Sequence, residues 1–187
     1  MALSREQLLS IAKNYWRADK EHDSRLESPP EHLRLGELWE QELAGIERWW
    51  AFLEDLEEAL PDFTLGDATA TVNACFRCVA YAGKSHPYPF AVVGCRSILA
   101  PLYAVYGVQY ESPGGEQRKP RAVFEPLPRE MRLPADLIAR RLESTFGVVA
   151  LPRDIGETPI PLIVHWKEPP ATTLFHALFA SQPERIP

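Results

Sequence analysis

The chain has 187 residues, a length that suits one domain and can bury a sizeable hydrophobic core. Apolar residues make up 45% of it and charged residues 25%, which is ordinary for a globular domain and argues against a disordered chain. The net charge is -6, and residues 1–67 carry 16 acidic and only 7 basic side chains. An acidic region of this size is either an ordinary solvated helical face or a surface that repels nucleic acid and attracts a basic partner.

The first predicted element is a helix. Ser4 and Gln7 have the Ser-x-x-Gln spacing of a capping box, and apolar residues then recur at helical spacing. We expect this helix to end near Lys20. The polar, proline-containing segment 21–33 predicts a loop.

A second, longer helix is predicted from Leu35 to Leu60. Apolar residues trace one stripe along it, glutamates fall largely off that stripe, and Pro61 ends it. We expect the two helices to form an acidic antiparallel hairpin over residues 1–62.

The composition changes at Phe63 to β-branched and aromatic residues, which favour strands. Pro113-Gly114-Gly115 is the clearest turn signal, and the other turns are also short. Successive strands with short turns predict an antiparallel meander. The strands are expected at 64–72, 74–82, 90–97, 102–110 and 121–125.

The last part of the chain predicts two helices and one strand. A helix opens at Leu133 and ends at Gly147, Ile160–Trp166 is an edge strand, and Thr173 opens a short helix. The whole predicts one α+β domain over residues 1–187. In it, the helical hairpin packs with a mostly antiparallel sheet of five to six strands, and residues 63–187 hold the sheet with two C-terminal helices.

Three cysteines, Cys75, Cys78 and Cys95, are too few for a disulfide framework and favour a reducing compartment. The N-terminus shows no secretory signal pattern, and no apolar stretch reaches the length of a membrane span. We therefore expect a cytoplasmic protein. Cys75 and Cys78 have C-x-x-C spacing but lie in a strand pattern, where their side chains would face opposite sides. A structural role is favoured over a metal or redox site.

No sequence motif for a nucleophile, a phosphate loop or a cofactor is present, so we expect neither a cofactor nor a metal. The enzymatic alternative is a small hydrolase in which His165 and His176 meet, with Glu168 close in sequence. It requires those side chains to converge on one pocket. A structural or adaptor subunit is a third possibility, and it predicts a large apolar surface patch.

The predicted second helix offers a candidate interface. Adjacent residues on a helix lie about 100° apart, so one of Trp49 and Trp50 can face the core while the other reaches the solvent. The alternative is that both are partly buried under the sheet. An exposed tryptophan among carboxylates resembles an interface anchor with a charged rim. The residues predicted to contact a partner are Glu47, Trp50, Glu54, Asp55 and Glu58.

Four segments resemble a group of small proteins encoded in myxobacteria and related high-GC bacteria that are treated as immunity proteins of toxin–immunity pairs. The segments are TLGDATAT at 64–71, CFRCV at 75–79, SILAPLY at 97–103 and TLFHALF at 173–179. The likeness covers the chain from about residue 45 onward, and its motifs are structural. The resemblance implies a non-enzymatic protein that binds and neutralises a cognate toxin, and the acidic first third fits a basic toxin.

Overall fold

The computed structural model describes residues 3–18, 28–111 and 119–187. It has the α+β class that the sequence predicts, with helices flanking a mostly antiparallel six-stranded sheet. The helices are α1 (Arg5–Ala12), α2 (Pro30–Leu43), α3 (Glu47–Ala59), α4 (Arg129–Phe146), α5 (Arg153–Gly156) and α6 (Leu174–Leu178). The strands are β1 (Phe63–Asp67), β2 (Cys75–Ala82), β3 (Phe90–Ser97), β4 (Leu102–Glu111), β5 (Lys119–Val123) and β6 (Val149–Ala150).

The first five strands form the predicted antiparallel meander in the order β1-β2-β3-β4-β5. The turn predicted at 113–115 lies outside the described residues. The sheet gains a sixth strand that the sequence does not indicate, because β6 is two residues long and shows no periodicity. It pairs in parallel with the start of β4, where Leu102 is in register with Val149.

The prediction of one helix over 35–60 is wrong, because α2 and α3 are separate helices. Gly45, a poor helix former, lies at the break, and i→i−3 hydrogen bonds tighten the chain there. The break places two tryptophans against the aromatic ring of Phe76 in β2. Trp39 of α2 and Trp49 of α3 lie 5.1 and 5.2 Å from Phe76, centroid to centroid.

Helix α1 has the predicted capping box but is shorter than expected. Ser4 and Gln7 satisfy each other's backbone N–H groups, and the helix ends at Ala12. Lys20, its predicted end, lies outside the described residues. Helix α1 packs against α6. Just after the end of α1, the Trp16 Nε1–H donates to the Ala177 carbonyl of α6 at 2.8 Å.

Helix α4 ends as predicted at Gly147, which takes the left-handed conformation with φ 67°. It begins at Arg129, four residues before Leu133, so that Pro134 lies inside it. The prediction of a strand over Ile160–Trp166 is wrong. Its residues form only isolated bridges, since Pro161 donates no backbone hydrogen bond and the chain reverses at 164–167.

The two faces of the sheet are covered differently. Helices α3 and α4 cover the face that carries Phe76 and Gly94. The C-terminal segment lies over the opposite face, where the buried Tyr106 hydroxyl donates to the Pro183 carbonyl at 2.9 Å.

Candidate functional surfaces

Four of the five residues predicted to contact a partner lie on the exposed side of α3. At roughly 100° per residue, Glu47, Trp50, Glu54 and Glu58 fall within about 80° of arc. All four are exposed, and the Trp50 side chain is 51% accessible, whereas Trp49 on the opposite side is 2% accessible. The structure thus assigns the two tryptophans as the helical spacing predicts. We call the stripe formed by Glu47, Trp50, Glu54 and Glu58 the acidic face.

Within the part of the chain that the structure describes, no ion pair neutralises the acidic face. Arg48, the one basic residue of α3, donates to the Thr145 carbonyl of α4 and stacks over Phe146 at 5.3 Å. Among the described residues, Glu47, Glu54 and Glu58 make no ion pair. In residues 3–18, 28–111 and 119–187, the carboxylates around Trp50 therefore face solvent without an ion-pair partner.

Asp55, the fifth residue of the predicted interface, lies at the edge of α3 beside α4. Its Oδ2 is 3.2 Å from Nη1 of Arg141, and both side chains are more than 40% accessible. An exposed pair of this kind contributes little to stability and is easily exchanged for an intermolecular pair. Asp55 is thus already engaged within the protein, whereas the acidic face beside it is not.

The cysteines are buried free thiols in the sheet. As the strand alternation predicts, Cys75 and Cys78 point to opposite faces. Cys75 lies beside Cys95, whereas the Cys78 sulfur lies against Gly94 under α4. Burial raises the pKa of the Cys78 thiol to about 12, so it is a protonated core residue at neutral pH.

A cleft of about 680 Å³ opens at the outer edge of β4, within the size range of ligand sites. It lies between α4 on one side and α5 and α6 on the other. Its apolar walls include Phe124 and Phe175, whose rings meet edge to face at 5.1 Å. Charged side chains surround these walls.

The charged groups of this β4 cleft are largely fixed by the fold. Arg153 pairs with Glu157 at 2.6 Å and donates to the Glu125 carbonyl. Arg132 donates from Nε to the Leu127 carbonyl at 2.9 Å. The remaining charged side chains in the lining are two carboxylates, Glu125 and Asp136. With the histidine neutral, three carboxylates face two guanidinium groups, so the lining carries a small excess of negative charge.

His176 is the one histidine among the residues that line the cleft. Its Nδ1 accepts from the Thr173 backbone N–H at 3.0 Å, as part of the capping box of α6, which leaves Nε2–H as its free donor. Burial, with a contribution from Lys167, lowers the pKa of His176 to about 4, so the ring is neutral at pH 7.

The other two members of the hypothetical hydrolase site lie elsewhere. His165 and Glu168 are exposed and are not part of the cleft lining. His165 occupies the turn next to Trp166 with φ 50°, and the two rings are 4.6 Å apart. The cleft therefore contains one histidine in a structural role, with neither His165 nor Glu168 beside it.

Sequence reasoning missed the cleft because residues far apart in the chain form it. Prolines after two strands are weak signals of its borders, because proline does not continue a strand. They lie at 126 and 128 after β5 and at 152 after β6. In the described ranges, no three side chains form a metal-binding group, and no helix is long and apolar enough to cross a membrane.

The fold and its surfaces thus define an α+β protein with an exposed acidic helix face and a separate cleft at a sheet edge. Comparison with protein-family models, with curated proteins and with solved structures finds no match for this chain.

Proposed function

We propose that this chain is a non-enzymatic immunity or inhibitor protein that binds a basic protein toxin through the acidic face of α3. The observation that carries the proposal is the convergence of Glu47, Trp50, Glu54 and Glu58 on one exposed stripe. A half-exposed tryptophan supplies a large apolar anchor, and the carboxylates around it steer and orient a basic partner.

The rigidity of α3 supports this proposal. The side of the helix opposite the acidic face holds Trp49, Phe52 and Leu56, each at most 2% accessible. Trp49 stacks on Phe52 at 4.9 Å. A helix fixed in this way presents its outer side chains without a large ordering cost on binding. The observations thus favour inhibition by surface occlusion.

The first test is co-expression of the chain with the protein encoded directly upstream. The proposal expects cell survival and a stable one-to-one complex whose affinity falls as salt is raised. Absence of toxicity together with absence of a complex would reject that pair of proteins as toxin and inhibitor. The structure then favours a search for ligands of the β4 cleft.

Substitutions on α3 test the surface itself. The double variant Glu54→Lys with Glu58→Lys should weaken the complex at least about tenfold and make its salt dependence shallower, because two attractions become repulsions. Trp50→Ala should weaken it by a similar factor through lost anchor contact. Calorimetric titration measures both.

A matched control reverses two exposed carboxylates away from α3. Glu130→Lys with Asp154→Lys makes the same change in net charge on α4 and α5. The affinity of this control variant for the toxin should stay within about threefold of the wild type, since only nonspecific attraction is altered. Equal weakening by the control and the α3 double variant would show that net charge, and not the acidic face, governs binding.

A further inference from the structure

The outer edge of β4 has a gap between its two neighbours. The parallel strand β6 pairs with β4 at Leu102 and Tyr103, and Leu151 beyond it donates to the Tyr103 carbonyl at 2.9 Å. Strand β5 begins to pair only at Gly107. Residues 104–106 therefore lie between the two partners.

Val105 is the residue whose amide group faces this gap. Backbone groups alternate sides along a strand, and the carbonyl of Tyr103 and the pairing groups of Gly107 point outward. Val105 lies two residues from each, so its N–H and C=O also point outward. Within residues 3–18, 28–111 and 119–187, neither group has a hydrogen-bonding partner. An unpaired donor and acceptor on a strand edge form a template for one residue of another strand.

This gap opens into the β4 cleft, of which Val105 is a lining residue. The aromatic walls beside it can take an apolar side chain. Three carboxylates against two guanidinium groups leave an excess of one negative charge in the lining, which complements a basic side chain of a bound segment. Backbone pairing combined with side-chain pockets is how sheet edges recognise extended peptides.

We propose that the β4 cleft binds an extended peptide segment that pairs with Val105 and carries an apolar side chain beside a basic one. The segment belongs to another polypeptide chain. One of its residues donates to the Val105 carbonyl and accepts from the Val105 N–H, while its apolar side chain packs on Phe124 and Phe175. This site is separate from the acidic face of α3 and does not depend on the function proposed for that face.

The probe is a phage-displayed library of random peptides, panned against the full-length chain. We expect enriched peptides to share an apolar residue next to lysine or arginine. A synthetic copy of an enriched peptide should slow hydrogen exchange at the Val105 amide by at least about tenfold, because the free N–H becomes hydrogen-bonded. Failure to enrich any peptide, or a bound peptide that leaves exchange at Val105 unchanged, overturns the proposal.

Two variants separate backbone pairing from general stickiness. Val105→Pro removes the outward N–H, which makes no bond in the fold, and should weaken peptide binding at least about tenfold. Val105→Ala keeps that N–H and should bind within about threefold of the wild type. Equal affinity of the proline variant and the wild type contradicts the pairing.

A third variant covers the case in which the proline variant does not fold. Ala139→Trp places a large ring into the cleft from the outer part of α4, where Ala139 is a partly buried lining residue. It should abolish peptide binding. Leu133 on the same helix is 75% accessible and lies outside the cleft. The control variant Leu133→Ala should therefore leave peptide binding unchanged. Peptide binding that survives Ala139→Trp overturns the proposal, and neither result depends on the partner of α3.

Discussion

The two faces of the sheet are covered by two kinds of packing. On one face α4 packs closely, because Gly94 and Gly107 have no side chain and let Ile138 and Met131 approach the backbone. On the other face the C-terminal segment is attached by side-chain donors that reach its carbonyl oxygens, among them Trp16 and Tyr106. We call the first the shape-dependent covering and the second, which also buries Leu174, Leu178 and Phe179, the hydrogen-bonded covering.

The difference explains where the β4 cleft lies. Its walls come from both coverings, with Asp136 and Ala139 of α4 on one side and Phe175 and His176 of α6 on the other. Helix and segment meet at the edge of β4 without filling the space between them. The acidic face is different, because it is the outer side of α3 and faces solvent. Only the opposite, inner side of that helix packs in the core.

The largest expected effect tests the shape-dependent covering. A methyl group at position 94 would lie 2.5 Å from Cγ2 of Ile138 and 3.0 Å from the Cys78 sulfur, both on stiff or buried side chains. Gly94→Ala should therefore lower the free energy of unfolding by about 2–3 kcal/mol through overpacking. Urea denaturation measures the change.

Gly107→Ala is the matched variant on the next strand. Its methyl group would meet Sδ and Cε of Met131, the last two atoms of a buried but flexible side chain that we expect to adjust. We expect a loss below about 1 kcal/mol. Equal losses at the two positions would show that the covering by α4 is uniform and not shaped around Gly94.

The next effect tests the hydrogen-bonded covering. Tyr106→Phe deletes the donor to the Pro183 carbonyl, and it also removes a polar neighbour of the buried Arg77 guanidinium, whose Nη1 has no partner among the described residues. The free energy of unfolding should fall by about 1–2 kcal/mol.

Tyr81→Phe deletes a similar bond, to the Pro187 carbonyl, at a partly buried position. It should cost below about 0.5 kcal/mol, because water can replace the lost partner. A larger loss from Tyr81→Phe than from Tyr106→Phe would contradict this interpretation.

The sequence predicts the features that depend on local patterns. Alternation and turn residues locate the five strands of the meander, although the first, expected at 64–72, ends at Asp67. The spacing of Trp49 and Trp50 allows one ring to be exposed while the other is buried. The break at Gly45 was missed, because one glycine in an otherwise helical pattern does not usually end a helix. The β4 cleft was missed for a different reason. The unpaired amide of Val105 depends on where β5 and β6 stop, and those strands are separated by α4.

The smallest effect appears only in acid and tests how α6 is attached. His176 has a pKa of about 4 in the folded chain and an ordinary value of 6.5, because burial, and to a lesser degree Lys167, disfavour the charged ring. Between these values the unfolded chain binds more protons than the folded one. The contribution of His176 to stability is therefore complete above pH 6.5 and is lost as pH falls toward 4. Since the ring is partly solvated, the loss should be about 1 kcal/mol.

His176→Gln isolates this contribution. Glutamine at the third position of a helix can accept from the N-cap N–H as His176 does, so the variant should match the wild type at pH 7. Denaturation at pH 7 and at pH 4.5 should show a smaller acid loss for the variant, by about 1 kcal/mol. Identical acid losses in both proteins would mean that protonation of His176 is not coupled to folding. The hydrogen bond from the Thr173 N–H would then add little to the attachment of α6, which would depend on its buried apolar residues and on bonds such as those of Trp16 and Tyr106.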